Sequence, residues 1–411
     1  MHPPQSTNPP HGPADRLLTL DAVRGFALLG ILVMNIQAFS MIGAAYLNPV
    51  ATPELAAQMT GLNYVVWYIG HVFFDAKFMS QFSILFGAGI LLMAQRCEAT
   101  GRSPAGVHYR RLLGLLVFGL IHAYFFWSGD ILVTYALCGA VLYPFWRCRN
   151  RVRLATAGCL FLMGSLIISL TGLSMPYWPE SELISMKQEM WQPSTEMVDA
   201  EIEAYSGPWW NQFLDRARMT FEFQIVGIPM LLFWQVTALM LIGMTLLETG
   251  VLTGKLSKRL YAIITLLGFG VGLPLVIWGL HQNESHDWDM QYSILLGTQF
   301  NYFGSLLMAM GYIGFWGLIL KSATGQKLGR LLAPVGRMAL TNYLMQTLIC
   351  TTIFYGHGFG YFMSIQRSGQ ALIVVAIWCF QIVFSHCWLQ RHRFGPAESV
   401  WRVMTYGKPT R

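Results

Sequence analysis

The sequence contains few charged residues. Asp, Glu, Lys and Arg make up 11% of its 411 residues, whereas a soluble globular domain carries about 25%. So few charges cannot cover the water-exposed surface of a chain of this length, which excludes an ordinary soluble domain. Hydrophobic residues make up 54%, and apolar runs of about 20 residues, the length that spans a bilayer, recur throughout. Because the backbone must be helical where lipid surrounds it, the composition predicts an all-α, polytopic transmembrane helix bundle.

Three further features are missing. The seven cysteines form no Cys-x-x-Cys pair, so we predict that they are small core side chains and that there is no metal site. Residues 1–16 lack the apolar segment of a signal peptide, and their Pro, His and Asn content predicts a disordered cytoplasmic tail. No internal repeat is visible, although inverted repeats are typical of many transporters.

The apolar runs predict about ten spans, each near the length that a bilayer requires. Their approximate cores are residues 17–41, 78–95, 112–128, 131–146, 154–173, 223–247, 260–280, 292–320, 338–356 and 370–390. The stretch 62–74 is apolar but short, which predicts an interfacial or re-entrant helix.

The basic residues are concentrated in alternate loops. Most of the 27 Lys and Arg residues fall in the segments 96–111, 147–153, 255–259, 321–337 and 391–411. Because cytoplasmic loops retain basic residues, these segments and both termini are predicted to be cytoplasmic, and the acidic segment 174–222 is the main external loop. The net charge of +7 follows from this topology. The predicted partner is therefore membrane lipid rather than nucleic acid, and association of identical chains is left open.

This topology is that of a multi-pass protein of the bacterial cytoplasmic (inner) membrane. It divides the chain into the cytoplasmic tail 1–16, the N-terminal transmembrane half 17–173, the external loop 174–222, the C-terminal transmembrane half 223–395 and the cytoplasmic tail 396–411.

Polar side chains within spans are costly and are often functional. Asp21 and Arg24 are three residues apart near the cytoplasmic end of the first span, so they can pair on one helix face. A purely structural ion pair is the alternative. Asn35 lies roughly 16 Å further along the same helix. Its amide requires a partner in lipid and is expected to face the bundle interior, where a structural hydrogen bond is the alternative.

Two histidines lie near carboxylates. His71 and Asp75 are four residues apart, which is the minimal arrangement of a general base with an orienting carboxylate, and Lys77 follows them. His122 lies inside the third span, and Asp130 follows it by about 12 Å on a straight helix, too far for a direct bond. The sequence favours His71 as the base and His122 as the second choice. An interfacial polar cluster and a core histidine are the respective alternatives.

These residues suggest one outward-facing polar cavity with a narrower channel from the cytoplasm. Asn342 and Gln346 form a polar stripe in the ninth span that would supply part of its wall. The predicted catalytic residues are His71, Asp75 and His122. The predicted substrate-binding residues are Asp21, Arg24, Asn35, Lys77, Asp130, Asn342 and Gln346.

Several motifs distributed along the chain resemble those of a known family. They are residues 20–31 (LDAVRGFALLGI), 77–78 leading into 82–87 (FSILFG), 119–122 (GLIH) with 129–132 (GDIL) and 135–137, 336–346 (GRMALTNYLMQ), and 394–398 (FGPAE) with 401–402 and 405–407. The sequence resembles the YeiB-type bacterial membrane proteins, whose C-terminal half is a domain of unknown function. This resemblance covers nearly the whole chain from Leu17 onward.

The first helix is also similar to that of a wider group of membrane acyltransferases. The group includes bacterial sugar O-acyltransferases and the lysosomal heparan-α-glucosaminide N-acetyltransferase. In the O-acyltransferases a catalytic His follows the Arg of an Arg-Gly pair by eleven residues, a position that Asn35 occupies here. The heparan-type helix also has Asn there and takes its active His from the following loop, which by analogy implies His71.

The resemblance implies an acyl-CoA-dependent acyltransferase that acts on a sugar, lipid-linked or small-molecule hydroxyl or amine. Acyl-CoA would be a co-substrate that reaches the basic cytoplasmic loops, and no permanently bound cofactor is expected. The absence of His at position 35 counts against simple O-acyl transfer. The alternatives are a transporter or flippase of a small polar or lipid-linked molecule, and a non-catalytic structural or regulatory membrane protein.

Overall fold

The computed structural model describes the backbone of residues 13–407 and the side chains of residues 18–407. Within this part of the chain every regular element is a helix, which confirms the predicted all-α class. The tail predicted for residues 1–16 lies largely outside the described residues, and from residue 13 onwards the chain forms the first turn of a long helix.

The described chain contains nineteen α-helices. In order they are α1 (Pro13–Ser40), α2 (Ala44–Leu47), α3 (Pro53–Gln58), α4 (Gly61–Phe73), α5 (Lys77–Ala99), α6 (Pro104–Phe125), α7 (Leu132–Leu142), α8 (Asn150–Ser174), α9 (Glu180–Met190), α10 (Thr195–Ser206), α11 (Trp209–Glu222), α12 (Phe233–Glu248), α13 (Lys258–Ser285), α14 (Met290–Tyr292), α15 (Thr298–Ile319), α16 (Ala323–Arg337), α17 (Ala339–Phe354), α18 (Arg367–Arg391) and α19 (Pro396–Tyr406). Two π-helical segments, Phe223–Leu232 and Ser293–Gly297, precede α12 and α15.

Seven helical stretches among the described residues are long and apolar enough to cross a membrane. They are Leu18–Ser40, Gly61–Ala99, Asn150–Tyr177, Trp209–Glu248, Lys258–Ser285, Met290–Ile319 and Arg367–Arg391. They account for seven of the predicted spans and establish a multi-pass membrane protein. The predicted spans 112–128, 131–146 and 338–356 correspond to α6, α7 and α17, which fall short of the same criteria, so the count of about ten spans is not confirmed.

The short apolar stretch 62–74 forms a separate helix, α4, and only three residues separate it from α5. Gly61–Ala99 forms a single apolar stretch of 39 residues, which is interrupted between Phe73 and Lys77. Ala76 there has a left-handed backbone with a φ of 59°, a conformation that an L-residue with a side chain seldom adopts. The interruption therefore bends the chain just where the predicted residues Asp75 and Lys77 lie.

The acidic segment 174–222 is folded rather than an irregular loop. It contains α9, α10 and α11, which cover the end of the bundle. The side chain of Asn48 donates to the carbonyl of Trp191 at 3.0 Å, and the amide of Gly356 donates to the carbonyl of Tyr205 at 2.8 Å. We call these three helices the acidic cap.

Helix α16 packs closely along α1. A Cβ atom at Gly25 would overlap the carbonyl oxygen of Leu332, and one at Gly336 would overlap that of Asp21. Small residues permit such close approach of helices in membranes. The contact places Arg337, at the end of α16, next to the Asp21 end of α1.

Candidate functional site

A cavity of about 570 Å³ opens between α1, α5, α6, α17 and α19. Seven arginines from different segments line it: Arg24, Arg96, Arg102, Arg111, Arg337, Arg393 and Arg402. The carboxylates of Asp21 and Glu398 lie among them. Three of the five basic segments that the sequence assigns to one side of the membrane, 96–111, 321–337 and 391–411, therefore converge at one mouth, and we call this end of the bundle the basic face.

The inner walls of the cavity are apolar and aromatic. The residues that line them include Leu28, Ile31, Phe82, Leu85, Leu115, Ile131, Tyr135 and Tyr343. A cavity with a cationic mouth and apolar walls is suited to an amphiphilic ligand that has an anionic head and an extended or apolar tail.

Asp21 and Arg24 pair at the mouth as predicted. Arg24 Nη1 donates to Asp21 Oδ1 at 3.0 Å, and both side chains line the cavity. Their predicted role in binding a substrate remains a prediction.

Helix α19 closes one side of the mouth. Glu398 accepts hydrogen bonds from the backbone amides of Leu340 and Thr341, at 2.7 and 3.1 Å, so it caps the start of α17. Burial raises the pKa of this carboxyl. Trp401 Nε1 donates to the carbonyl of Arg111 at 2.7 Å, and the Arg111 guanidinium lies 4.7 Å from the centre of the Trp401 ring.

This docking was not expected from the sequence, which assigned residues 396–411 to a cytoplasmic tail. Arg393 and Arg402 therefore escaped the list of predicted site residues. The Phe394–Glu398 motif and the Trp401-Arg402 pair could have indicated them, because a tail that contacts nothing does not require specific aromatic and charged residues.

A hydrogen-bonded chain of buried residues lies beyond the inner walls. His122 Nδ1 lies 2.8 Å from Asp130 Oδ1, and His122 Nε2 lies 2.8 Å from Thr347 Oγ1. Asp130 Oδ2 also accepts the amide of Val133 at 2.9 Å. His122 is 2% exposed, Asp130 4% and Thr347 1%, so the chain is screened from bulk water.

The predicted separation of His122 and Asp130 by about 12 Å was wrong, since it assumed a straight helix. Helix α6 ends at Phe125, and the chain reverses direction before α7 begins at Leu132. The reversal brings Asp130 back beside His122.

Two helices that line the cavity, α6 and α17, also carry residues of this hydrogen-bonded chain. On α6, His122 lies seven residues beyond Leu115, and on α17, Thr347 lies four residues beyond Tyr343. Residues at these spacings share one helix face. Leu115 and Tyr343 both line the cavity, and the Tyr343 ring lies 5.1 Å from the imidazole of His122. The hydrogen-bonded residues therefore lie behind the inner end of the cavity, and His122, Asp130 and Thr347 do not themselves line it.

Asn35 continues a third wall in the same way. It follows the cavity-lining residue Ile31 by four positions on α1 and is half-buried. Phe39, one further turn along that face, stacks on Trp127 with ring centres 4.1 Å apart. Trp127 in turn lies 6.2 Å from the His122 ring, so the Asn35 face of α1 points toward the histidine.

The other predicted base belongs to a separate cluster. His71 Nδ1 lies 3.3 Å from Asp75 Oδ2, which confirms their pairing. Lys77, fully buried, donates from Nζ to the carbonyl of His71 at 2.8 Å and to Asn301 Oδ1 at 2.5 Å. Asn301 Nδ2 donates to Asp75 Oδ2 at 2.8 Å.

The structure thus separates residues that the sequence prediction placed in one cavity. Like His122 and Asp130, the residues His71, Asp75 and Lys77 do not line the 570 Å³ cavity. None of the hydrogen bonds formed by their side chains within the described part of the chain reaches His122 or Asp130.

Asn342 and Gln346 connect helices instead of lining the cavity. Asn342 Nδ2 donates to Ser385 Oγ at 2.9 Å, and Gln346 Nε2 donates to Gln381 Oε1 at 3.0 Å. Both side chains are buried. These bonds join α17 to α18 and thereby hold the wall that carries Tyr343 and Thr347.

Comparisons with known proteins place the chain among bacterial relatives. Residues 246–408 match a family described as a protein of unknown function (DUF418). The chain is 33% identical over 408 residues to the uncharacterized protein YeiB of Escherichia coli (strain K12), which covers 95% of this chain and 96% of the relative. It is 29% identical over 414 residues to the uncharacterized protein YxaH of Bacillus subtilis (strain 168), covering 95% and 94% of the two chains.

A third relative is an uncharacterized 39.9 kDa protein in the amylase 3′ region of Bacillus acidopullulyticus, 30% identical over 394 residues, with 96% of this chain and 95% of the relative covered. No solved structure matches the chain. None of these three relatives is named an acyltransferase, so the similarity to that wider group stays a prediction. The resemblance to YeiB-type proteins is confirmed: the chain belongs to the YeiB family of bacterial proteins, whose C-terminal domain is DUF418.

Proposed function

We propose that this protein is an acyl-CoA-dependent membrane acyltransferase, with His122 as its general base. The observation that carries the proposal is the buried His122–Asp130 pair behind Tyr343, which lines the inner end of an arginine-lined cavity. Guanidinium groups bind phosphate oxygens in a bidentate manner, and acyl-CoA has phosphates at one end and its thioester at the end of a long flexible arm. A volume of about 570 Å³ falls within the usual range for small-molecule sites.

The chemistry follows from the tautomer that Asp130 favours. A carboxylate can only accept, so it favours a proton on His122 Nδ1 and a free electron pair on Nε2. Nε2 can then take the proton of an acceptor hydroxyl or amine while that group attacks the thioester carbonyl. The C–S bond breaks and the leaving thiolate receives the proton. In this proposal the amide of Asn35 would donate to the oxygen that becomes negative.

The same proposal fixes an orientation. Acyl-CoA is a cytoplasmic metabolite, so the basic face would lie in the cytoplasm, in agreement with the retention of Lys and Arg on that side. The acidic cap would then lie outside the inner membrane, and both termini would be cytoplasmic.

The decisive test measures donor binding and thiol release by the full chain in lipid nanodiscs. Acetyl-CoA is titrated calorimetrically, and free CoA is then followed with a thiol reagent in the presence of amino sugars, sugars or glycerol. We expect binding to the wild type and acceptor-dependent thiol release that His122→Asn abolishes. His392→Asn, which alters an exposed histidine on the basic face, serves as the matched control. Absence of donor binding and of thiol release with every acceptor would refute the proposal.

A transporter or flippase is the second proposal, and one observation favours it. The π-helical segments Phe223–Leu232 and Ser293–Gly297 interrupt two apolar stretches, and irregular helices within spans often mark sites that move or bind in transporters. Movement of fluorescent phospholipids across the bilayer of protein-containing liposomes, unaffected by His122→Asn, would support this function instead.

A further inference from the structure

Thr347 uses its hydroxyl differently from the threonines that follow it on α17. Thr351 and Thr352 donate to the carbonyl of Leu348 at 3.3 and 2.7 Å, the usual local bond of a threonine within a helix. The hydrogen bond of Thr347 joins it instead to His122 Nε2 at 2.8 Å, across 225 residues of sequence.

The result is a hydroxyl, an imidazole and a carboxylate in series. With Nδ1–H donated to Asp130, the Nε2 electron pair accepts the Thr347 hydroxyl proton. This is the arrangement that activates a serine or threonine as a nucleophile. The three residues come from α6, from the turn before α7 and from α17, so tertiary packing and not local sequence creates it.

We propose that Thr347 is a covalent acyl carrier, which receives the acyl group from the donor before the acceptor takes it. The inference rests on the proposed acyltransferase function and divides its direct transfer from thioester to acceptor into two half-reactions. In the first half, Thr347 Oγ1 attacks the thioester carbonyl while His122 Nε2 takes the hydroxyl proton. The C–S bond breaks, the proton passes from Nε2 to the leaving thiolate, and an ester on Oγ1 remains.

In the second half, the hydroxyl or amine of the acceptor attacks the ester carbonyl and gives its proton to His122 Nε2. The bond from the acyl carbon to Oγ1 breaks, and Nε2 returns the proton to Oγ1. Each half conserves atoms, electrons and protons, so no oxidant or further reactant is required.

The position of Thr347 suits such a relay. Thr347 is buried one turn beyond Tyr343, which lines the inner end of the cavity, so the tip of a long arm that enters from the mouth would approach it. With a relay, the thiol leaves through the basic mouth before the acceptor binds. A single cavity of about 570 Å³ therefore never has to hold the donor and the acceptor together.

The test is to trap the carrier. Wild-type protein in nanodiscs is mixed with acetyl-CoA without an acceptor, quenched in acid and digested for mass spectrometry. We expect a burst of one thiol per protein and one acetyl group on the peptide that contains Thr347. With acceptors, initial rates should follow double-displacement kinetics with parallel reciprocal plots.

Three variants sharpen the test. Thr347→Val keeps the side-chain shape and should lose both the burst and the adduct, with turnover lowered by at least about 100-fold. Thr347→Ser keeps a hydroxyl and should retain the adduct. Thr351→Val, on the same helix and also buried, should behave as the wild type.

Two results would overturn the carrier while leaving the acyltransferase function intact. One is wild-type turnover with intersecting reciprocal plots and no adduct; the other is an adduct on another residue, with Thr347→Val as active as the wild type. If the wild type neither binds acetyl-CoA nor releases thiol with any acceptor, the acyltransferase function fails and the carrier fails with it.

Discussion

The described part of the chain contains two histidine–aspartate pairs within the apolar bundle, and they differ in construction. His71 and Asp75 lie on successive turns where α4 ends, 3.3 Å apart. His122 and Asp130 lie on either side of a chain reversal, 2.8 Å apart, and a third helix completes them through Thr347. The first pair is local and the second depends on the fold.

Their surroundings separate them further. Lys77 and Asn301 bond to the groups around Asp75 and join the α4–α5 interruption to α15. The His71 ring is also stacked 5.6 Å from that of Trp67. Among residues 18–407, no lysine is bonded to the His122 pair, which lies behind the inner end of the cavity. We infer that the first cluster is a structural joint and the second a reactive site.

The largest expected effect contrasts the two histidines directly. His122→Asn should lower acyl transfer by roughly 100- to 10,000-fold, because a general base contributes that much. His71→Asn should leave turnover within a few-fold of the wild type. Thiol release from acetyl-CoA, measured for both variants at equal amounts of folded protein, checks the prediction. Loss of turnover in His71→Asn with full activity in His122→Asn would reverse the assignment and restore the base that the sequence favoured.

That preference shows how far sequence reasoning reaches for this chain. Pairs on one helix, such as Asp21 with Arg24, follow from residue spacing alone. The pairing of His122 with Asp130 does not, because the length of a segment does not reveal where its helix ends and the chain turns back. The bond from His122 to Thr347 spans 225 residues and depends on how α6 packs against α17.

The fold shows the same division. Hydropathy identifies long apolar helices such as α8, α13 and α18, because lipid imposes both their length and their composition. The shorter α7 and α17 line the cavity, which those three helices do not, yet they fall below the length of a full span. The helices of the acidic cap were expected as a loop, since charge alone predicts a side of the membrane and not a conformation.

The second prediction concerns the joint around Lys77. Lys77→Met removes the donor to the His71 carbonyl and to Asn301 Oδ1, and each buried acceptor left unpaired costs about 1–3 kcal/mol. We expect a clear fall in the free energy of unfolding, measured by thermal and denaturant unfolding in detergent. Lys258→Met, at an exposed position, should change nothing. If Lys77→Met kept full stability but lost turnover, the cluster would belong to the chemistry and the distinction between the two pairs would fail.

The third prediction tests whether the arginine-lined mouth serves the His122 site. Arg96→Gln removes one exposed guanidinium from the cavity, and a hydrogen bond to a charged group contributes about 1.5–3 kcal/mol. We expect acetyl-CoA to bind roughly 10-fold more weakly, with a smaller salt dependence and unchanged stability. Arg147→Gln is the matched control, because Arg147 is also exposed on the basic face, pairs with Glu98 at 2.8 Å and does not line the cavity. Equal effects of both variants would indicate only a general attraction between the basic face and the anion.

The smallest expected effect lies at the opposite end of the molecule, where pH should alter stability and leave donor binding unchanged. Burial raises the pKa of Glu201 in the acidic cap from 4.5 to about 7, and nearby Asp215 adds a smaller increase. The hydrogen bond that Glu201 accepts from the Gly43 amide, at 2.9 Å, lowers the pKa and offsets part of this rise. Between these two values the folded chain keeps a proton that the unfolded chain has released. Glu201 therefore favours folding most at low pH, and that contribution is lost as the pH rises toward 7.

Glu201→Gln keeps an oxygen for the Gly43 amide but cannot ionise, so its melting temperature should fall less than that of the wild type between pH 5 and pH 8. Glu182→Gln, an exposed substitution in the same cap, should retain the wild-type slope. Acetyl-CoA affinity should be the same for Glu201→Gln and the wild type at each pH, since the cap is remote from the arginine-lined mouth. A shift in affinity that follows the Glu201 titration would instead show that the acidic cap and the His122 site act as one unit.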